Sequence, residues 1–254
     1  MSPFITIFGR QLPTYGVLIW CGIAVSVAVA LCICKRKGTD REEIIFSGVY
    51  TMVGALIGAK LLFILVSLPT IIAERINPLA LLWGGFVFYG GLIGGALGLF
   101  IYCKQFKMSF KELAETYATV LPLGHAFGRV GCFFAGCCYG IEYDGALSYT
   151  YSTALAETPI GVPLLPIQLI EAVCLLVVFA LLLTVYLKSG KETGKVLPLY
   201  LLCYSLLRFV LEFFRGDRAR GILLLSTSQW ICIGLLCALA WWRFRGIILK
   251  KLGK

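Results

Sequence analysis

The sequence predicts an all-α polytopic membrane protein with about seven transmembrane helices, its N-terminus outside and its C-terminus in the cytoplasm. Of its 254 residues, 59% are hydrophobic and 14% are charged, whereas soluble domains carry about 25% charged residues. The apolar residues are grouped in segments long enough to cross the hydrocarbon of a bilayer. Lys and Arg concentrate between alternate segments, as in cytoplasmic loops. We expect one transmembrane domain over residues 1–254.

The first hydrophobic segment, residues 15–34, is expected to be a retained helix and not a cleaved signal peptide. Only Arg10 precedes it, and Lys35, Arg36 and Lys37 follow it, which reverses the charge order of a signal peptide. Six further segments are expected to span the membrane, since each offers roughly 20 mostly apolar residues. They are residues 44–68, 79–103, 113–134, 164–187, 196–214 and 222–244.

The distribution of basic residues predicts the orientation. Clusters of Lys and Arg follow the first, third, fifth and seventh segments, whereas the loop 141–163 contains none. By the positive-inside rule, the N-terminus lies outside. The outer side would hold only Arg10, Arg75, Arg215, Arg218 and Arg220. Because topology accounts for the net charge of +10, we do not expect a nucleic-acid partner.

Charged residues inside the sixth segment suggest a site. Charges within a span are costly and usually face a polar cavity. Tyr204, Arg208, Glu212 and Arg215 recur at steps of four, four and three, which places them on one helix face. We interpret this face as functional, and an ion pair that only locks two helices together is the alternative.

Other polar groups fall in the outer halves of their segments: Tyr15, Arg129, Gln168 and Glu171, with Lys60 near mid-depth. The glycine-rich stretch 124–140 surrounds Arg129 and predicts a helix that breaks and exposes backbone N–H groups. Such groups beside an arginine suit a phosphate, so a pocket facing the outer leaflet would fit an anionic phospholipid. The glycines of residues 84–98 indicate close helix packing.

The motif Gly128-Arg129-Val130-Gly131, with Phe133, Gly136 and Gly140, resembles the signature of prolipoprotein diacylglyceryl transferases. Residues 15–16, 88–94, 166–171 and 204–215 are similar to further motifs of that family, in the same order. The resemblance covers most of the chain. It implies seven transmembrane helices in a bacterial plasma membrane, with the N-terminus outside and the active site towards the outer leaflet.

The resemblance also implies a reaction without a metal or organic cofactor. These enzymes transfer the diacylglyceryl group of phosphatidylglycerol to the lipobox cysteine thiol of a prolipoprotein and release glycerol phosphate. By matched position, Arg129 and Arg208 would hold the phosphate, and Glu212 would orient Arg208. Tyr204 and Tyr15 would line the site. The other expected lipid-binding residues are Gln168, Glu171, Arg215, Gly131 and Gly140.

The chain departs from the family where acid–base or lipid-binding residues are expected. Tyr89 replaces a histidine, Cys132 and Ala135 replace asparagines, and Cys137 replaces a glutamate. Tyrosine, with a reference pKa near 10, is a poor proton acceptor, although Tyr89 is kept among the catalytic candidates. One hypothesis is that His125, four residues before Arg129, supplies the base. The alternative is a packed or hydrogen-bonded histidine.

Of the eleven cysteines, Cys132, Cys137 and Cys138 lie within the signature itself. They could form a disulfide, act as reactive thiols that accept the lipid group, or bind a metal. The metal ranks last, because C-x4-C-C is not a strong zinc spacing. Two function classes stay open. One is a transferase, acting on prolipoproteins or another acceptor, and the other is a non-catalytic protein that binds or transports anionic lipid.

Overall fold

The structure, a computed structural model, describes residues 3–7, 9–74, 85–156, 158–217 and 224–251. It begins with a hairpin and then consists mainly of α-helices, with a second pair of short strands between the fourth and fifth helices. In chain order the elements are β1 (Phe4–Ile7), β2 (Arg10–Pro13), α1 (Thr14–Ile33), α2 (Arg41–Glu74), α3 (Phe88–Phe106), α4 (Phe110–Ala135), β3 (Tyr149–Thr150), β4 (Pro163–Leu164), α5 (Ile167–Lys188), α6 (Val196–Leu211) and α7 (Thr227–Lys251).

Each predicted transmembrane segment overlaps one of these α-helices. Four stretches are long and apolar enough to cross a membrane among the described residues: Thr14–Lys37, Arg41–Pro69, Ile167–Lys188 and Val196–Phe214. These helices are those of a membrane protein, while the count of seven spans and the orientation stay predictions. The first residues of the predicted third and seventh segments, and Arg75, Arg218 and Arg220, lie outside the described residues.

The second helix shows a surface suited to lipid. Phe46, Leu56, Leu65 and Val66 on α2 are each more than half exposed, and no charged side chain other than Lys60 occurs between Ile44 and Pro69. A helix satisfies its own backbone hydrogen bonds, so such a surface can face hydrocarbon without cost. The exposure of large apolar side chains on α2 therefore agrees with a membrane environment.

The chain forms two compact units, Met1–Ala30 with Glu115–Lys254, and Leu31–Ala114. In the second unit, glycines bring α2 and α3 into backbone contact. A Cβ atom on Gly94 would lie 2.2 Å from the carbonyl oxygen of Gly54, and one on Gly90 would lie 2.3 Å from that of Gly58. The predicted packing through small faces is thus confirmed. The single transmembrane domain predicted over residues 1–254 stays a prediction.

Lys60 is accommodated within this second unit. Its ammonium group donates to the carbonyl oxygen of Gly85 at 3.3 Å and lies 4.3 Å from the ring centroid of Phe86. The carbonyl and the aromatic face both stabilise a cation in surroundings of low polarity. These contacts explain how a charged side chain is tolerated in an otherwise apolar helix.

In the first unit, α4 runs unbroken from Phe110 to Ala135, so the predicted break around Arg129 is wrong. The helix ends only at Gly136, whose φ is +77°. The glycines before it serve close packing instead. A Cβ on Gly124 would lie 2.9 Å from Oγ of Ser26, and one on Gly131 would lie 3.0 Å from the ring of Tyr15. The glycines therefore let α1 approach α4.

A buried carboxylate of the first unit determines where α6 begins. The Glu115 carboxylate on α4 accepts hydrogen bonds from the backbone nitrogens of Val196 at 2.8 Å and Leu197 at 3.3 Å. An acidic group at a helix N-terminus accepts hydrogen bonds from otherwise unpaired N–H groups, and its negative charge interacts favourably with the helix dipole. Glu115 therefore fixes the start of α6, the helix that carries the charged face.

Candidate active site

Arg129 is a residue of α4 and contacts two partners, one on its own helix and one on α5. Its Nε donates to Nε2 of His125 at 3.2 Å and lies 3.1 Å from Oε1 of Glu171. The Arg129 side chain is 12% exposed and that of Glu171 is 3% exposed. A buried guanidinium needs such an acceptor and counterion to offset its loss of hydration. The position of Arg129 is therefore set by both helices.

A second buried arginine lies at the end of α6. The Arg208 Nη2 is 2.7 Å from Oε2 of Glu212 and donates to the hydroxyl of Ser228 at 3.5 Å. Glu212 begins the short 3-10 helix Glu212–Phe214 that continues α6. The i, i+4 spacing thus produces the predicted contact. Nη1 of Arg208 is buried and has no hydrogen-bond partner among the described residues.

His125 contacts Arg129, and Tyr204 lies one turn before Arg208 on α6. The ring centroids of His125 and Tyr204 are 5.6 Å apart, and Tyr204 packs against the buried cluster of Ala126, Ala172 and Leu175. Both guanidinium groups act electrostatically on His125. The structure therefore brings together five of the predicted catalytic and lipid-binding residues: His125, Arg129, Glu171, Tyr204 and Arg208.

Arg215 lies beyond the end of the helix, with φ −84° and ψ 133°, so the prediction that it shares a helix face with Tyr204 and Arg208 is wrong. Its guanidinium makes two hydrogen bonds to Asp217, Nε to Oδ1 at 2.9 Å and Nη2 to Oδ2 at 2.6 Å. Burial alone would lower the pKa of Arg215, but the bonds to Asp217 raise it above its ordinary value. Arg215 also pairs through its backbone with Gly140, so it adjoins the signature segment.

The three signature cysteines lie close together at the C-terminal end of α4. Gly136 has a φ of +77° and Cys138 a φ of +58°, so the chain turns back and the nitrogen of Cys137 donates to the carbonyl of Cys132 at 3.1 Å. The three sulfur atoms lie within 4.8 Å of one another. Gln168 of α5 donates to the carbonyl of Cys137 at 2.8 Å, which fixes the turn to the neighbouring helix.

The surroundings of Cys138 favour its thiolate. Contacts with the thiols of Cys132 and Cys137 lower the pKa of Cys138, and the positive charges of Arg215 and Arg129 lower it further. A thiolate, unlike a thiol, is a nucleophile and a metal ligand. Cys138 is therefore the thiol of the cluster that is best suited to act as a nucleophile or a ligand.

Of the remaining predicted residues, Tyr15 contacts the signature segment and Gly140 belongs to it. The ring of Tyr15 faces Gly131. Gly140 permits a close approach, since a Cβ there would lie 2.3 Å from the carbonyl oxygen of Leu165. Tyr89 lies in α3, in the second unit, where its ring is 5.9 Å from that of Phe88. Its place among the catalytic residues stays a prediction.

A comparison with known proteins decides the family. The sequence profile described as prolipoprotein diacylglyceryl transferase matches residues 3–244. The chain belongs to the prolipoprotein diacylglyceryl transferase family. The match includes both arginines and the three cysteines, so the departures at Tyr89, Cys132, Ala135 and Cys137 occur within a member of this transferase family and not in an unrelated membrane protein.

Individual relatives agree with this membership. A phosphatidylglycerol–prolipoprotein diacylglyceryl transferase 2 of Clostridium perfringens is 33% identical over 248 residues, 98% of this chain and 93% of the relative. The phosphatidylglycerol–prolipoprotein diacylglyceryl transferase of Clostridium tetani is 33% identical over 89% of this chain and 90% of its own length. That of Clostridioides difficile is 29% identical, over 84% and 82%.

Sequence reasoning missed three residues that adjoin the candidate site. Asp217 fixes the guanidinium of Arg215, and Ser228 contacts Arg208. The hydroxyl of Tyr151 donates to the carbonyl of Phe133 at 3.1 Å, next to the cysteine turn. An acid two residues after an arginine was a usable signal for Asp217. Nothing in the sequence pointed to Ser228 or Tyr151, because both contacts join distant segments.

Proposed function

We propose that this transferase moves the diacylglyceryl group of phosphatidylglycerol to the lipobox cysteine thiol of a prolipoprotein and releases glycerol phosphate. The names of its relatives state phosphatidylglycerol and prolipoprotein as their substrates. The observation that carries the proposal for this chain is the buried Nη1 of Arg208, which has no hydrogen-bond partner among the described residues. A buried cationic donor without an acceptor is costly, and a phosphate oxygen of the lipid would satisfy it.

The reaction requires little beyond charge stabilisation and a thiolate. The substrate sulfur attacks the glyceryl carbon that carries the phosphate, a C–S bond forms, and the C–O bond to phosphate breaks. The electron pair of that bond goes to the phosphate oxygen, so negative charge grows on the leaving group. Preorganised cations in a dry site stabilise such charge strongly. Arg129 and Arg208 are placed for this role.

The two acidic residues fix the arginines for this purpose. Glu171 and Glu212 each contact one guanidinium nitrogen, whereas a guanidinium carries five N–H donors. The pairing therefore holds each arginine in place and leaves it able to donate to phosphate as well. We assign Glu171 and Glu212 as positioning residues. Tyr204, one turn before Arg208 on α6, would line the phosphate site.

The remaining candidates are assigned by their surroundings. Tyr15, near the start of α1, and Gly131, near the end of α4, are proposed to line the lipid path. Gln168 and Gly140 hold the signature turn by hydrogen bonding and close approach. Arg215, fixed by Asp217, would add positive charge for the departing glycerol phosphate. Tyr89, at the position of the family histidine, is proposed to contact substrate.

The cellular setting follows from the same proposal. Seven transmembrane helices with the N-terminus outside would place α4 and α6 with Arg129 and Arg208 towards the outer leaflet of a bacterial plasma membrane. There, phosphatidylglycerol supplies the lipid group, and the lipobox peptide of a prolipoprotein arrives at the outer surface. The phosphate of the lipid headgroup would then lie at the depth of the two arginines.

The test uses the purified full-length protein in vesicles of phosphatidylglycerol with a lipobox peptide. A thioether-linked diacylglyceryl peptide, detected by mass spectrometry, is expected with the cysteine peptide and absent with the same peptide carrying serine. Vesicles of phosphatidylcholine provide the matched control for the headgroup. If the protein binds phosphatidylglycerol through Arg208 but yields no lipidated peptide, the lipid-binding alternative replaces the transferase.

A further inference from the structure

The cluster of Cys132, Cys137 and Cys138 has a geometry that the proposed phosphate chemistry does not use. We propose that these three cysteines bind a zinc ion whose fourth coordination position accepts the thiol of the protein substrate. This inference rests on the proposed function for the identity of that substrate. It departs from the expectation of a reaction without metal, and it is carried by the convergence of the three side chains.

The distances fit a single metal ion. All three sulfur atoms lie within 4.8 Å of one another. Zinc–sulfur bonds are about 2.3 Å long and arranged tetrahedrally, which separates neighbouring sulfurs by roughly 3.8 Å. Sulfur atoms this close can converge on one ion through rotamer adjustments alone. The sequence spacing ranked a metal last, but the turn at Gly136 places the three thiols together regardless of that spacing.

The backbone around the cluster is fixed before any ligand arrives. Cys132 lies in the last turns of α4, while Gly136 and Cys138, both with positive φ, fold the next residues back onto it. The hydroxyl of Thr158 donates to the carbonyl of Gly136, and Gln168 donates to the carbonyl of Cys137. A metal site needs such supporting bonds to hold its ligands.

Three thiolates and one open position are the pattern of a catalytic zinc site and not of a structural one. The three thiolates and the ion together carry a net charge of −1. Arg129 lies three residues before Cys132 on α4, and Arg215 pairs through its backbone with Gly140, two residues after Cys138, so both cations lie near the cluster and offset this charge. Since Arg129 also belongs to the proposed phosphate site, a thiol bound at the fourth position would lie close to the lipid phosphate ester.

The zinc would supply what the replaced residues no longer can. A coordinating thiol is deprotonated outright, so the substrate thiol would pass its proton to water on binding. The zinc-bound sulfur then attacks the glyceryl carbon, the C–S bond forms, and the electron pair of the broken C–O bond leaves with glycerol phosphate. No side-chain base is required. A tyrosine at position 89 and a cysteine at position 137 are then compatible with turnover.

The first measurement is metal content. The full-length protein, purified without a metal-chelating tag, is expected to hold one zinc per chain. The triple variant Cys132→Ala, Cys137→Ala, Cys138→Ala should lose more than about 100-fold in zinc affinity, because changes beyond the direct ligands alone cost about 10–100-fold. The matched control replaces three exposed cysteines by alanine, Cys21, Cys32 and Cys237, and should retain the zinc.

The second measurement uses the unmodified chain and so does not depend on the variant folding. Cobalt(II) exchanged into the site should show a thiolate-to-metal charge-transfer absorption. This absorption should grow when the lipobox cysteine peptide is added and should not change with the serine peptide. Removal of the metal should abolish lipidation, and zinc should restore it.

The outcomes separate this inference from the proposed function. A protein that lipidates the peptide without zinc, or whose triple cysteine variant stays active, overturns the zinc site and leaves the transferase intact. A disulfide between two of the three cysteines in the active protein overturns it as well. Conversely, a protein that binds one zinc and a cysteine peptide without lipidating it supports the metal site and overturns the transferase assignment.

Discussion

His125 and Arg129 lie one turn apart on α4, and Nε of Arg129 donates to Nε2 of His125 at 3.2 Å. The lone pair of that ring nitrogen is thereby engaged by a cation. A general base needs its lone pair available to the proton that it removes. The relationship favours a role for His125 in orienting Arg129, in place of the base role that the sequence suggested.

A substitution series at His125 distinguishes the two roles. Glutamine places an acceptor near the position of Nε2, whereas alanine removes it. We expect His125→Gln to stay within about threefold of the original kcat/KM and His125→Ala to lose about 10- to 100-fold, since a hydrogen bond to a charged group contributes about 1.5–3 kcal/mol. Peptide lipidation by the purified variants is the measurement. Equal, severe losses in both variants would restore the base hypothesis.

The buried pair of Arg208 and Glu212 provides a second prediction. Removing one partner leaves an uncompensated charge and should destabilise the protein by about 3–5 kcal/mol. Glu212→Leu and Arg208→Met are therefore each expected to lower the melting temperature in detergent. The double variant should recover most of that loss but no activity, because the phosphate contact is still missing. A double variant that lipidates peptide would contradict the assignment of Arg208.

Glycine contacts between α2 and α3 allow a matched comparison. A Cβ on Gly94 would meet the carbonyl oxygen of Gly54 at 2.2 Å, whereas a Cβ on Gly91 would make only ordinary contacts, with the Cβ of Ala59 at 3.5 Å and the carbonyl oxygen of Ala55 at 3.6 Å. Gly94→Ala should cost about 1–3 kcal/mol by overpacking. Gly91→Ala should be neutral or slightly stabilising, since alanine favours helices. Equal melting temperatures for the two variants would contradict this packing.

The hydrogen bond from Gln168 to the cysteine turn is tested against a similar buried glutamine. Gln168 donates to the carbonyl of Cys137 at 2.8 Å, and Gln229 donates to that of Phe209 at 3.3 Å. Leucine at either position should destabilise the protein by about 1–3 kcal/mol. Only Gln168→Leu should also lower kcat/KM at a temperature where both variants are folded. Equal activity of the two would show that the turn does not depend on Gln168.

Much of the fold was predictable because lipid imposes strong rules on sequence. Apolar segments predicted the positions of all the α-helices that the structure describes, and the glycines of α3 correctly indicated close packing. The break predicted in α4 was wrong, because glycine occurs both where helices break and where helices pack closely together. Gly131 faces Tyr15 across a distance of more than one hundred residues in sequence. Only the fold shows which use applies.

The site was predictable where partners share a helix. Arg208 and Glu212 are four residues apart, as are His125 and Arg129, so helical spacing predicted that the members of each pair share a helix face. Glu171 was expected near the site but not as the partner of Arg129, because that contact joins two helices. The proximity of the three cysteine sulfurs was not predictable for a similar reason. The positive φ of Cys138 cannot be read from C-x4-C-C.

The most direct test of the account is the stoichiometry of the two products. The purified protein, phosphatidylglycerol and a lipobox cysteine peptide should yield lipidated peptide and glycerol phosphate in a one-to-one ratio, and Arg208→Ala should lose both together. Glycerol phosphate formed without lipidated peptide would instead show that water is the acceptor. That result would contradict the transfer to a thiol on which the account rests.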